Sequence, residues 1–164
     1  MTDEPSLRRD IDSRSAFHAA IHEALGAAAA TNAREIVMCD PDFADWPLGE
    51  RACVERFQSW AMSHRRLTLL ARTFDELPRR HARWLAWRTQ WSHVVSCRQA
   101  DPEDAAAVPS LIVVDGVMTV RLAHPQHHRG VVSRERSDWL QSLELIDAVL
   151  QRSSEALPPT LLGL

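Results

Sequence analysis

The sequence predicts an α/β fold: a mixed, partly parallel sheet flanked by helices on both faces. Three observations lead there. Short apolar runs alternate with amphipathic stretches of helical period, the pattern of βα repeats. Strands separated by helices imply right-handed crossovers and therefore parallel neighbours. Asp115-Gly116, set between two apolar runs, marks a β-hairpin, so the sheet also contains antiparallel strands.

Residues 1–12 are acidic and polar and read as a flexible lead; residues 13–164 read as a single domain. Asp12 or Ser13 caps a helix running to about Thr31, with Phe17, Ile21, Leu25 and Ala28 on one face. Gly26 weakens that helix without breaking it. A buried strand follows at 34–39. The stretch 40–49 holds two prolines and three aspartates and reads as a loop. A second helix over about 50–63 buries Cys53, Phe57, Trp60 and Ala61, and 66–71 is the next strand.

A third helix is expected over 78–92 and a third strand over 93–98. Residues 99–109 connect to the hairpin, with room for one helical turn. The hairpin strands are 110–114 and 117–123, joined by the pair preferred in type I′ turns. A short strand at 131–133 precedes a last helix over 134–153, where Trp139, Leu140, Leu143, Ile146 and Leu150 recur at helical spacing. The apolar end beyond Pro158-Pro159 is expected to dock back on the core.

Bulk properties set the limits on function. The 164 residues suffice for one core. A net charge of −3 argues against a globally basic nucleic-acid binder. Cys39, Cys53 and Cys97 lack C-x-x-C spacing and sit in apolar elements, so buried reduced thiols are expected. The odd count disfavours an oxidising compartment, the amino terminus lacks a signal-peptide apolar region, and no run is long enough to span a bilayer. A cytoplasmic protein without membrane contact is the expectation.

The stretch Val108-Pro-Ser-Leu-Ile-Val-Val-Asp-Gly116 has the frame of an H-x-K-x-x-x-x-D-Gly strand. With the element order, it resembles one module of the phospholipase D-like superfamily across nearly the whole chain. The resemblance puts Val108 at the histidine position and Ser110 at the lysine position, leaving Asp115 alone of the motif. The Gly-Ser-x-Asn expected shortly afterwards is replaced by Leu122, Ala123, His124 and Pro125. All 19 Lys+Arg residues are arginines, so the motif's lysine has no counterpart anywhere. The resemblance therefore implies a degenerate single module, similar to bacterial domains of unknown function. It implies no catalytic residue, no resident metal and no cofactor. It also implies a homodimer, because catalytic relatives join two modules across a twofold.

Several residues remain as binding candidates. Asp115 serves the turn or orients a neighbour at the old site. Arg121 is placed to meet a phosphate-containing ligand or nucleic acid near the old cleft. His124, His127 and His128 form the densest set of imidazoles, the basis of a rival reading as a small metal-dependent enzyme, with Asp115 or Asp40 adding a carboxylate at the same end of the sheet. Trp84, Trp87 and Trp91 share a helical stripe flanked by Arg80 and Arg88. That stripe packs on the sheet or on a partner subunit, or else stacks nucleic-acid bases; burial is the expectation. Ser110 has no neighbouring histidine in sequence to activate it.

Overall fold

Each apolar run expected as a strand enters one eight-stranded sheet in a computed structural model that describes residues 6–158. β2 (Glu35–Cys39), β3 (Arg66–Ala71) and β4 (Val95–Gln99) are parallel neighbours. β5 (Ser110–Val114), β6 (Met118–His124) and β7 (Arg129–Ser133) continue from β2 as antiparallel strands. With β1 (Arg8–Ile11) and β8 (Ser154–Glu155) at the margins, the order is β1-β7-β6-β5-β2-β3-β4-β8. The sheet is mixed, as expected.

Alternation along the strands separates two cores. Ile36 and Met38 of β2 and Ile112 and Val114 of β5 face α1 (Arg14–Thr31), α2 (Arg51–Trp60) and α4 (Ala82–Gln90). Val37, Cys39, Leu111 and Val113 face the opposite way, toward Ile146 and Val149 of α5 (Arg136–Gln151). Fully buried strands read as continuous apolar runs because each face meets a helix. Helices thus cover both faces of the sheet.

Ser13 is the residue that caps α1: its side chain accepts from the Ala16 N–H at 3.1 Å, and Asn32 closes the helix at φ 56°. Trp84 and Trp87 are buried, at 0% and 4% exposure, and Trp91 is half-buried. The indole N–H groups of Trp87 and Trp91 both donate to Gln58 Oε1, at 3.0 and 3.1 Å. The tryptophan stripe is core. Arg88 does not flank an open platform; it is itself buried.

Four expectations need correction. The flexible lead through residue 12 includes strand β1, whose Arg8–Ile11 pair with Ser133–Gly130 of β7. Its side chains are exposed except Ile11, so burial left no apolar signature to read. The third helix is two, α3 (Leu77–Arg80) and α4, interrupted at His81, whose ring turns inward. Leu140 is 44% exposed, while Ser142 takes a buried place on α5. Finally, Gly116 has φ 73° but Asp115 does not have positive φ. With Val117 N–H donating to Val114 O at 2.9 Å, this is the pattern of a type II turn, not type I′. The expected docking of the apolar end beyond Pro159 lies outside the described residues.

Candidate functional site

A cleft of about 570 Å³ opens where β2 ends and β5 begins. The loop after β2 forms one wall. Asp40, first residue past the strand, turns its carboxylate inward and accepts the N–H groups of Asp42 and Phe43 on Oδ2, at 3.1 and 2.8 Å. This local bond holds the turn, and Phe43 adopts φ 59° beyond it. Phe43, Trp46 and Leu48 are buried, so the loop is a packed wall and not a solvated connection.

His81 clamps this wall from the helix break. Its Nδ1 accepts the Gly49 N–H at 3.0 Å, so the ring is neutral and Nε2–H donates to Phe43 O at 2.8 Å. Burial holds its pKa below the usual imidazole value, more than the bond to Phe43 raises it. His18 reaches the same loop, its Nε2 2.5 Å from Asp45 O.

Ser110, the first residue of β5, projects from the same face and donates Oγ–H to Asp40 Oδ1 at 2.5 Å. Both residues are buried, at 1% and 9% exposure. Burial raises the Asp40 pKa, opposed by the bonds from Ser110, Asp42 and Phe43. The buried indole N–H of Trp46 lies by the same carboxylate without reaching hydrogen-bond geometry. Val108 also lines the cleft. The positions matched to the motif's histidine and lysine therefore meet at this cleft, but as an apolar side chain and a hydroxyl already committed to a carboxylate.

The expected candidates are scattered. Asp115 sits exposed at the far end of β5, since Ser110 pairs with Leu122 while Val114 pairs with Met118. It does not share an end of the sheet with the histidines. Arg121 faces the α5 side and lines a separate pocket of about 250 Å³ with Thr119, Ser133 and Ser142. Side chains alternate along β6, so Leu122 reaches the cleft and Arg121 does not. His124 and His127 are exposed, whereas His128, at φ 50°, enters the cleft with Nε2 3.4 Å from Asp45 Oδ2. Among the described residues no three His, Cys, Asp or Glu side chains come together as a metal site.

Trp46 and His81 were missed in sequence, and Asp40 was expected only as a carboxylate beside the histidines, where it does share the cleft with His128. A carboxylate directly after a buried apolar strand was the available signal for Asp40. Nothing in sequence joined it to Ser110, seventy positions away. Asp40, Asp42 and Asp45 give the cleft an acidic lining, and Arg80 at its rim is already paired with Glu76 at 2.9 Å. An anion entering here would meet these carboxylates.

This architecture is that of the phospholipase D-like fold. Nuc, a phospholipase D family member from Salmonella typhimurium, superposes with a TM-score of 0.59 at 11% identity, over 93% of this chain and 99% of Nuc. TrmBL2, an archaeal chromatin protein described as showing a novel mode of DNA binding, superposes with a TM-score of 0.62 at 14% identity. That match covers 94% of this chain and 56% of TrmBL2, so the chain spans little more than half of that protein's length. At such identities the likeness establishes the fold. No protein-family model and no curated protein matches the sequence. No helix of the described residues is long and apolar enough to cross a membrane.

Proposed function

We propose that this chain is a non-catalytic phospholipase D-like module that acts by binding or assembly. One observation carries the reading: Ser110, at the motif's lysine position, is tied to buried Asp40, beside Val108 at the histidine position. Phosphohistidine chemistry needs an imidazole nucleophile and cations on the phosphoryl oxygens. At those two positions the cleft presents an apolar side chain and a hydroxyl instead, and its three carboxylates outnumber His128 and an Arg80 already paired with Glu76. Such a lining favours uncharged polar or cationic groups over phosphate. Self-association as a homodimer belongs to this reading. Three buried free cysteines fit a reducing, cytoplasmic setting. Sedimentation analysis from micromolar to millimolar protein tests the assembly: a dimer is expected, and a monomer throughout would remove it.

Nucleic-acid binding is a second reading, favoured by the shared fold with a DNA-binding chromatin protein. The charges weigh against it. Arg8, Arg9, Arg79, Arg80, Arg134 and Arg152 all pair with carboxylates, and the net charge is −3. Titration with labelled single- and double-stranded DNA at low and high salt separates the readings. Salt-dependent binding would favour this second one.

A further inference from the structure

Two arginines, Arg65 and Arg88, are buried with an unpartnered Nε, and they differ in what their Nη groups meet. Arg65, 6% exposed, donates Nη1 to Ala33 O at 2.8 Å and Nη2 to Asn32 Oδ1 at 3.0 Å. Arg88, 3% exposed, has no carboxylate and no carbonyl acceptor for its side chain among the described residues, and its Nε is buried without a partner. Its polar neighbour is the thiol of Cys97, held protonated by burial, with its pKa pushed up to about 11. A thiol is a weak acceptor and does not balance a guanidinium. Burying a charge without a counter-charge is unfavourable enough that such groups are ordinarily paired.

Arg88 opens on a pocket of about 470 Å³ that wraps the outer margin of β4, where β8 pairs with Arg98 and Gln99. The other side-chain donors in its lining include Arg66, Arg98, His93 and the hydroxyls of Thr68, Ser92 and Ser96. Arg98 is held in place by Ser153, donating Nε–H to Oγ at 3.0 Å and Nη2–H to the carbonyl at 2.7 Å. Glu155 is the one carboxylate in the lining, and it is exposed. This pocket lies by the beginnings of β3 and β4, away from the Asp40–Ser110 cleft, and has the opposite electrostatic character.

We infer that the Arg88 pocket is a binding site for a small tetrahedral oxyanion of the phosphate or sulfate class. A buried guanidinium fork meets two oxygens of such an anion at once, and the remaining donors of the lining suit its other oxygens and second negative charge. A single carboxylate would leave most of those donors unused. The site is independent of the proposed loss of catalysis.

The test is thermal melting in inorganic phosphate or sulfate against chloride at matched ionic strength, since a ligand that binds the folded state raises Tm in a saturable way. Wild type is expected to show that rise. Arg88→Met should abolish it, while melting no lower than wild type in phosphate-free buffer, because it removes an unbalanced buried charge. Arg66→Ser, at an exposed position, should weaken the apparent affinity by about tenfold without moving the phosphate-free Tm. Ser110→Ala should leave the response intact, separating this pocket from the cleft. The inference fails if wild type does not respond, or if Arg88→Met responds equally. It also fails if Arg88→Met melts far below wild type without phosphate, which would mean that a protein group already balances Arg88.

Discussion

The two ends of strand β5 are built differently. At its start, Ser110 is buried and bonded to Asp40, within a wall fixed by His81 and Trp46. At its finish, Asp115 is exposed and turns the chain beside Gly116. The one residue that matches the motif is thus at the end without a cleft. The end with a cleft places Val108 and Ser110 where the proposed motif match would put histidine and lysine. Retention of a motif residue is poor evidence of function when local turn chemistry alone explains it.

Substitutions at the two ends should separate by magnitude. Trp46→Ala at the cleft end should have the largest effect, about 3–5 kcal/mol, the range for deleting a buried aromatic. Its ring is 2% exposed and packs edge-on against Phe17 and Phe43, at centroid distances of 5.5 and 5.0 Å. Denaturant unfolding measures the loss. Ser110→Ala should follow at about 1–3 kcal/mol, because it strips a buried carboxylate of a donor. A loss below that at Gly116→Ala would break the comparison.

Acidity sharpens the same contrast. The folded pKa of Asp40 is raised by burial above an unfolded value of about 3.9. As pH rises through that window the unfolded chain releases its proton first, so the folded state loses stability. Below the window the contribution is fully present. Asp40→Asn removes the titration, so the variant's stability relative to wild type should increase as pH rises from about 3.9 through the raised folded value. Unfolding at a series of pH values checks the sign; a constant difference would mean that Asp40 titrates alike in both states.

The turn end should respond least. Gly116→Ala places a side chain at φ 73°, with open space for its Cβ, so backbone strain of about 1–2 kcal/mol is the expected cost. Asp115→Ala, at an exposed position, should stay within about 0.5 kcal/mol. A larger loss at Asp115 than at Ser110 would reverse the assignment of the two ends.

Much of the fold was legible because period and burial agree. β3 and β5 occupy the expected ranges, and α1 ends at Thr31 as expected, because apolar faces and a serine cap mark them. β1 was not legible: Arg8, Arg9 and Asp10 lie on an exposed margin where no burial pattern forms. The break at His81 was hidden because the ring's partners, Phe43 and Gly49, lie on a distant loop. The cleft was legible as a position and not as a set of contacts. Strand β6 carries the chain roughly 23 Å at about 3.3 Å per residue, which separates Asp115 from the histidine loop despite their closeness in sequence. Local spacing marks turns and strands; the Asp40–Ser110 bond depends on two strands meeting, which no local pattern encodes.

The central proposal is that the cleft at the start of β5 carries no phosphodiester chemistry. Incubation of the purified protein with bis(p-nitrophenyl) phosphate, followed by acid-labile phosphate trapping on histidine, tests it most directly. The account predicts release no faster than the buffer blank and no phosphohistidine. Turnover that saturates with substrate and disappears in His128→Ala, at the one histidine of its loop that enters the cleft, would contradict it.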